Sequence, residues 1–261
     1  MWMESVERKQ SIRTVILTTV LLLVVGFGCG RVQAEEVDFL DDAFYEEEAD
    51  GPAVADPLEP LNRAIFTFND KAYTYLLKPV ATGYSKVLPS DIRGTVWNFF
   101  RNLEEPIRFV NCILQGRFEE SGWVLSRFVI NSVAGVFGLG DPAYREFGIP
   151  RIEASLGETL ESWGVGDGFY TVIPFFGPST LRDFSGTVVD ALTLSPYYFW
   201  VDDYWTMAAI YGTKEINKLS LSLNAYDDLK EVSFDPYVAI RDGYLQVRRK
   251  LRDHSEFEVD F

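Results

Sequence analysis

The chain has one histidine, two cysteines and three methionines among its 261 residues. The single histidine, His254, lies in a charged C-terminal stretch, so no histidine-based triad and no multi-histidine metal site can be assembled. Cys29 follows the N-terminal apolar run and Cys112 sits within Ile107–Leu114, so no disulfide is expected and Cys112 reads as a small buried hydrophobe. No Gly-x-x-x-x-Gly-Lys-Ser/Thr loop and no Gly-x-Ser-x-Gly elbow occurs, which removes P-loop nucleotide hydrolysis and that class of serine nucleophile. Basic residues are scarce, 24 against 39 acidic, and the net charge of −15 argues against a nucleic-acid partner. Past the N-terminus no uninterrupted apolar run reaches about 18 residues, so no ordinary membrane-spanning helix is expected. Carboxylates are plentiful, among them Glu104, Glu105, Glu119, Glu158 and Glu161. On helices such groups usually form a solvated face, and no catalytic residue, metal or cofactor is assigned to them.

What is present begins with an address. Arg8, Lys9 and Arg13 precede the apolar run Val15–Phe27, the pattern of a bacterial export signal. Two processing sites compete. Gly28-Cys29 fits a lipoprotein signal in which Cys29 receives lipid and residues 1–28 are removed, although Gly26 and Phe27 stand where a leucine and a small residue are usual. Val32-Gln33-Ala34 fits cleavage that removes residues 1–34. Nine acidic and no basic residues lie between Glu35 and Asp50, so residues 29–55 read as an acidic, flexible tether. A helical domain is expected over 56–252, followed by a charged tail at 253–261.

The body reads as mainly α, with few or no strands. Asp56-Pro57-Leu58-Glu59 suggests a capped helix start, Pro79 its end or kink. Ser90 opens a second helix with Ile92, Val96, Phe99 and Leu103 on one face, and Pro106 opens a third that stops at Gly116. A helix from Arg117 to about Ala134 is apolar on most sides, yet Glu120, Arg127 and Asn131 recur at spacings of seven and four and form one polar line. A short helix is expected at Leu156–Ser162. Another runs from Ser179, read as a cap, to about Leu194. A third runs from Asp202 to about Leu223, and the last follows Asp235-Pro236. Arg248, Arg249, Lys250 and Arg252 end that last helix, where they suit either its dipole or anionic lipid. Phe128–Leu139 and Phe169–Leu181 are unusually apolar for an exported protein, and Tyr197-Tyr198-Phe199-Trp200 is an aromatic cluster of the kind found at membrane surfaces.

Several segments, in order, carry a resemblance. They are Asp56-Pro57-Leu58-Glu59-Pro60-Leu61-Asn62-Arg63, Phe66-x-Phe68-Asn69, and Asn98-Phe99-Phe100-x-Asn102-Leu103-x-Glu105-Pro106. Further along come Arg127-Phe128-x-Ile130-Asn131-Ser132, Gly138-Leu139-x-Asp141-Pro142-Ala143, Gly157-x-Thr159-Leu160-x-x-Trp163-Gly164-Val165-Gly166 and Pro174-x-x-Gly177-Pro178-Ser179-Thr180-x-Arg182-Asp183. Together they resemble the MlaA (VacJ) family over residues 56–200. Glu158 stands where the family usually has Gln, and Phe169 where it often has Pro. The resemblance implies an outer-membrane lipoprotein of a phospholipid transport pathway, a single ring-like helical domain around an amphipathic pore in the inner leaflet. It also implies outer-membrane porin trimers and a periplasmic lipid carrier as partners, with energy supplied by a separate transporter.

The residues suit that task. A two-chain phospholipid has on the order of 30 methylenes, each worth about 0.8 kcal/mol, so passage through water would cost on the order of 20 kcal/mol. A sheltered path also needs polar groups for the headgroup. Glu120, Arg127 and Asn131 are candidates to line it, and Gly135, Gly138, Gly164, Gly166 and Gly168 to form a gating loop. Arg182 and Asp183 are read either as headgroup contacts or as a salt bridge fixing a helix start. The alternative reading of the whole chain is a cell-envelope scaffold that binds porin or peptidoglycan without moving lipid. A periplasmic hydrolase using a carboxylate pair is a third.

Overall fold

A computed structural model of the protein describes residues 54–193, 201, 203–223 and 225–252. The signal, Cys29, the tether up to residue 53, the cluster Tyr197–Trp200 and the tail lie outside the described residues.

The chain enters through α1 (Glu59–Ala72), a π-helical turn (Tyr73–Leu77) and α2 (Lys78–Val87), which form one helical path. Pro79 neither ends nor breaks this path. It has no N–H and its ring crowds the carbonyl four residues back, and the ladder widens just upstream, so that the Lys78 N–H reaches the Tyr73 carbonyl. The start also differs from the sequence expectation. Leu58, not Asp56, precedes the first turn without a side-chain cap. The Asp56 carboxylate instead accepts from Asn62 Nδ2 (2.8 Å) and from the Tyr237 hydroxyl, a tertiary use that outcompetes the local one.

α3 (Ser90–Leu114) is one helix of 25 residues, about 37 Å long. Pro106 lies inside it and starts nothing. Within the same stretch Arg108 Nη1 donates to the Arg101 carbonyl (3.0 Å). The helix stops in a Schellman arrangement, with Arg117 N–H on the Cys112 carbonyl and Gly116 N–H on that of Ile113. This turns the chain back into α4 (Phe118–Val133), which packs along α3. One turn, α5 (Pro142–Arg145), and α6 (Leu156–Ser162) follow. Ser155 and Glu158 close a capping box on α6.

The strands amount to one antiparallel ribbon, β1 (Tyr170–Ile173) and β2 (Gly177–Thr180), with Tyr170 opposite Thr180 and Ile173 opposite Gly177. α1 serves the other edge of β1. Val172 N–H donates to Asn62 Oδ1 and Phe175 N–H to Asn69 Oδ1, while the two amide NH2 groups donate to the Tyr170 and Ile173 carbonyls. Two helical turns and three strand residues both span about 10 Å, so asparagines seven apart match the strand repeat. Ser179 is therefore in a strand rather than at a helix cap. Thr180 Oγ1 takes the Asp183 N–H (3.2 Å) at the start of α7 (Leu181–Thr193). α8 (Tyr204–Leu221) is capped by Asp203, and α9 (Ala225–Val232) and α10 (Pro236–Arg252) complete the order. α6 packs on α7, and α8 on α2 and α3.

Candidate functional site

The apolar and polar surfaces of these helices are placed opposite to those of a water-soluble domain. Buried apolar residues gather into two small clusters, Cys112 with Val124 and Ala154, and Tyr170 with Val172 and Tyr237. Most of the remaining buried side chains described are polar or charged. On α4 the outward face carries Phe118, Leu125, Val129 and Val133, with Val133 79% exposed. The inward face carries Ser121, Val124, Arg127 and Asn131, with Arg127 only 3% exposed. Other exposed apolar side chains are Val136, Phe137 and Leu139 after α4, Phe175 and Phe176 at the ribbon tip, Trp163, and Tyr75 and Leu76 in the π turn. Val136, Phe137 and Phe175 hold positive φ, a costly conformation for such side chains, and all three are exposed.

Asp141 organises the largest polar cluster. Its carboxylate accepts from Arg127 Nη2 (3.0 Å to each oxygen), from Asn131 Nδ2 (2.9 Å) and from Arg151 Nη2 (2.9 Å). It also caps α5 through the Tyr144 N–H (3.3 Å). Burial alone pushes this acid up, but the two guanidinium groups and the amide outweigh it and hold Asp141 down at about 2. Arg127 further donates to the Ile149 carbonyl (2.8 Å), and its Nε lies 3.6 Å from Glu105. Glu105, buried on α3, has its acidity weakened by that burial, against the pull of Arg108 and Arg127. Arg101 and Arg108 share Glu153, Arg108 also takes Glu104, and Lys214 of α8 joins at Glu104. Burial and the like charges of Arg108 and Arg151 lower the Arg101 guanidinium, while Glu153 pulls the other way.

A small cleft opens into this cluster between Asn98, Arg101, Asn102 and Glu105 of α3, Arg127 of α4 and Arg151. It has room for about one water molecule. Three buried polar atoms of its lining residues have no hydrogen-bond partner: Glu105 Oε2, Asn102 Oδ1 and Arg127 Nε.

A second cluster joins α6, α7 and α10. Arg248 donates to Glu158 (2.9 Å) and Asp183 (2.8 Å), and the Tyr244 hydroxyl donates to Asp183 (2.7 Å). Burial pushes Asp183 up, and Arg248 with Arg182 more than reverses it. Arg182 donates to the Val165 carbonyl and faces Asp167 (2.7 Å) and Glu161 (3.2 Å), which ties the segment around Gly164 and Gly166 to α7. Arg248 is thus an internal cross-link, neither a free headgroup ligand nor a mere dipole partner as the sequence suggested. A third cluster links Asn111, Thr159 and Asp190.

The structure brings Arg127 and Asn131 together on Asp141, and Arg182 with Asp183. Glu120 stands apart, paired with Arg117 at the start of α4. Gly138 sits at φ +86 with an added Cβ falling 2.3 Å from Asn102 Cβ, and Gly135 is as tightly held against the Asn131 carbonyl. Gly164 and Gly168 occupy positive-φ turns, and Gly166 faces open space. Glu105, Asp141, Arg101 and Arg151 were not singled out as site residues. Asp141 and Glu105 each precede a proline within the quoted motifs; the sequence reading takes Pro106 as a helix start and matches neither acid to Arg127.

Among the described residues no helix is long and apolar enough to cross a membrane. The MlaA lipoprotein family profile matches residues 54–251. The chain is 34% identical over 194 residues to the intermembrane phospholipid transport system lipoprotein MlaA of Haemophilus influenzae, covering 73% of this chain and 76% of that one. It is 34% identical over 197 residues to the protein of the same name from Escherichia coli, covering 74% and 76%. A solved structure described as the structural basis for maintenance of bacterial outer membrane lipid asymmetry aligns with a TM-score of 0.66 at 34% identity, covering 74% of this chain and 96% of that one. With its helical architecture and the family match across nearly all of the described residues, the chain belongs to the MlaA lipoprotein family.

Proposed function

We propose that this protein is the outer-membrane component of an intermembrane phospholipid transport system. It offers mislocalised phospholipid a route out of the outer leaflet and passes it to a periplasmic carrier, maintaining lipid asymmetry. The observation that carries the reading is the inverted surface of α3, α4 and their loops. Phe118, Val129, Val133 and Phe137 face outward while Arg127, Asn131 and Asp141 are enclosed. In water each large exposed side chain forfeits about 1.5–3 kcal/mol of burial, whereas in acyl chains it forfeits almost nothing. A domain whose described residues include no spanning helix can present such a surface by lying in one leaflet. The enclosed charges then supply the polar interior that a headgroup requires.

In this reading Cys29 carries the lipid anchor, a porin trimer and a periplasmic carrier are the protein partners, and the segments around Gly135–Gly138 and Gly164–Gly168 gate the opening. Arg182 holds the second of these segments through Val165 and Asp167. The role is transport, and no catalytic step is assigned to its carboxylates.

The test is complementation. In a bacterium deprived of its own family member, phospholipid exposed on the cell surface should rise, and this chain should return it to the parental level. Native mass spectrometry of the protein taken from that membrane should show bound phospholipid and a diacylated Cys29. Porin binding without bound lipid, together with unchanged surface phospholipid, would favour the scaffold reading.

A further inference from the structure

Three residues lining the cleft beside Asp141 each hold one buried polar atom without a partner: Asn102 Oδ1, Glu105 Oε2 and Arg127 Nε. Asn102 and Glu105 are 4% exposed and Arg127 3%, so bulk water does not serve them. The two acceptors stand one turn apart on α3, and the donor comes from α4. Arg127 Nε lies 3.6 Å from the other Glu105 oxygen, Oε1, which is beyond a direct hydrogen bond. A polar pair at such a separation is often bridged by water. The neighbouring groups are already engaged. Each Asp141 oxygen takes three donors, from Arg127, Asn131 and Tyr144 on one side and from Arg127 and Arg151 on the other. Asn131 Oδ1 takes the Ala143 N–H (3.0 Å).

An unpaired buried donor and two unpaired buried acceptors are each costly. Two internal rearrangements relieve only part of that cost. Turning the Asn102 amide would at best pair its NH2 with Glu105 while Ser132 donates to Oδ1. A protonated Glu105 would give its own hydrogen to Asn102. Both leave the Arg127 Nε–H without an acceptor. The set calls for one small group that accepts once and donates twice. An ammonium or metal cation cannot accept from Nε, and an anion cannot donate to the two oxygens. A water does both, making the three hydrogen bonds usual for a buried water, and the cleft has room for about one. Exchange with solvent runs past Arg151, whose side chain is 34% exposed.

We propose that this cleft is a binding site for one ordered water, which accepts from Arg127 Nε and donates to Glu105 Oε2 and Asn102 Oδ1, joining α3 to α4 beside the Asp141 cluster. The Asn102 amide is held ready for it, by its bond to Ser132 Oγ (3.0 Å) and by the close approach of Gly138. A donor on Oε2 also favours the Glu105 carboxylate and so opposes the burial that weakens this acid. The site goes beyond the phospholipid-transport reading and stands whether or not lipid passes.

The direct test is a crystal structure of the protein taken from its membrane into detergent, at a resolution that shows ordered waters. One density peak should lie within hydrogen-bonding distance of Arg127 Nε, Glu105 Oε2 and Asn102 Oδ1. An empty cleft, or an Asn102 amide turned to donate to Glu105, would overturn the site. Oxygen-17 relaxation dispersion of the solvent reads the same water in solution, because a buried water stays long enough to be counted. Asn102→Leu keeps much of the side-chain volume and removes one acceptor, and it should lower the count of long-lived waters by one. An unchanged count in a variant whose circular dichroism matches wild type would overturn the proposal. The crystal structure needs no variant, so a folding defect in Asn102→Leu leaves the test intact. Infrared spectroscopy separates the remaining alternative. A protonated-carboxyl stretch at neutral pH that disappears in Glu105→Gln would assign the bond to a proton between Glu105 and Asn102, and would overturn the water bridge.

Discussion

Replacing Asp141 by Asn tests whether the charged interior is held by the balance described above. The side chain keeps its shape and loses its charge. Three buried or half-buried donors then face an amide: Arg127, Arg151 and Asn131. The carboxylate falls from the ordinary aspartate value of 3.8 to about 2 in the fold. At about 1.4 kcal/mol per pH unit, this is worth roughly 2 kcal/mol at neutral pH. Leaving the Arg127 guanidinium without its partner points to about 3–5 kcal/mol for a broken buried pair. The two figures lie either side of about 3 kcal/mol, which for a domain of this size lowers Tm by about 6–12 °C. The sign with pH follows from the depressed value. Above about 3.8 both folded and unfolded Asp141 are ionised, and the stabilisation is complete. Between 3.8 and about 2 the unfolded chain binds the proton first, so the stabilisation fades as pH falls. Circular dichroism melts in detergent should therefore separate wild type from Asp141→Asn at pH 7 and bring them together toward pH 2. A difference under about 2 °C at pH 7, or one unchanged at pH 2, would refute the reasoning.

Arg248→Met should lower Tm by about 6–12 °C at neutral pH, because Glu158 and Asp183 lose their shared cation; an unchanged melt would mean α10 is not held by this link. Gly186→Ala should cost about 1–3 kcal/mol or more, since the new Cβ falls 2.3 Å from the Gly157 nitrogen where α7 meets α6. In the same denaturation assay Gly83→Ala, with open space around it in α2, should stabilise by about 0.5–1 kcal/mol. Val129→Asp places a charge on the outward face of α4 and should reduce flotation with phospholipid vesicles while leaving the melt in detergent within a few degrees of wild type. Cys112 is fully buried and its thiol is pushed up to about 11 by that burial. It should resist maleimide in the folded protein and react fully in denaturant.

Local signals were readable where short-range physics decides. The capping box at Ser155 and Glu158 set α6 to the span expected, and Asp235 serves the α10 start, accepting from the Tyr237 N–H. On α4 the spacing of four puts Arg127 and Asn131 on one face, where both meet Asp141, while Glu120, seven residues before Arg127, pairs with Arg117 instead. Proline signals misled at Pro79 and Pro106. At the first the ladder widens into a π turn, and at the second one missing N–H is a small loss within a helix of 25 residues held along its length by α4. Asp56 misled for a related reason: a good cap residue was taken by Asn62 and Tyr237 from elsewhere in the chain.

The sequence by itself determined that the chain is helical, exported in pattern, poor in metal and nucleophile chemistry, and built on the ordered motifs of one family. Only the tertiary structure decided which face of each helix points inward. Periodicity tells which residues share a face, but the rule that apolar faces turn inward assumes water outside. Here the interior is filled by charges that satisfy one another across long sequence separations, Arg248 with Asp183 and Lys214 with Glu104. Those pairings depend on three-dimensional closure, and with them the aromatic and aliphatic face of α4 is left for lipid.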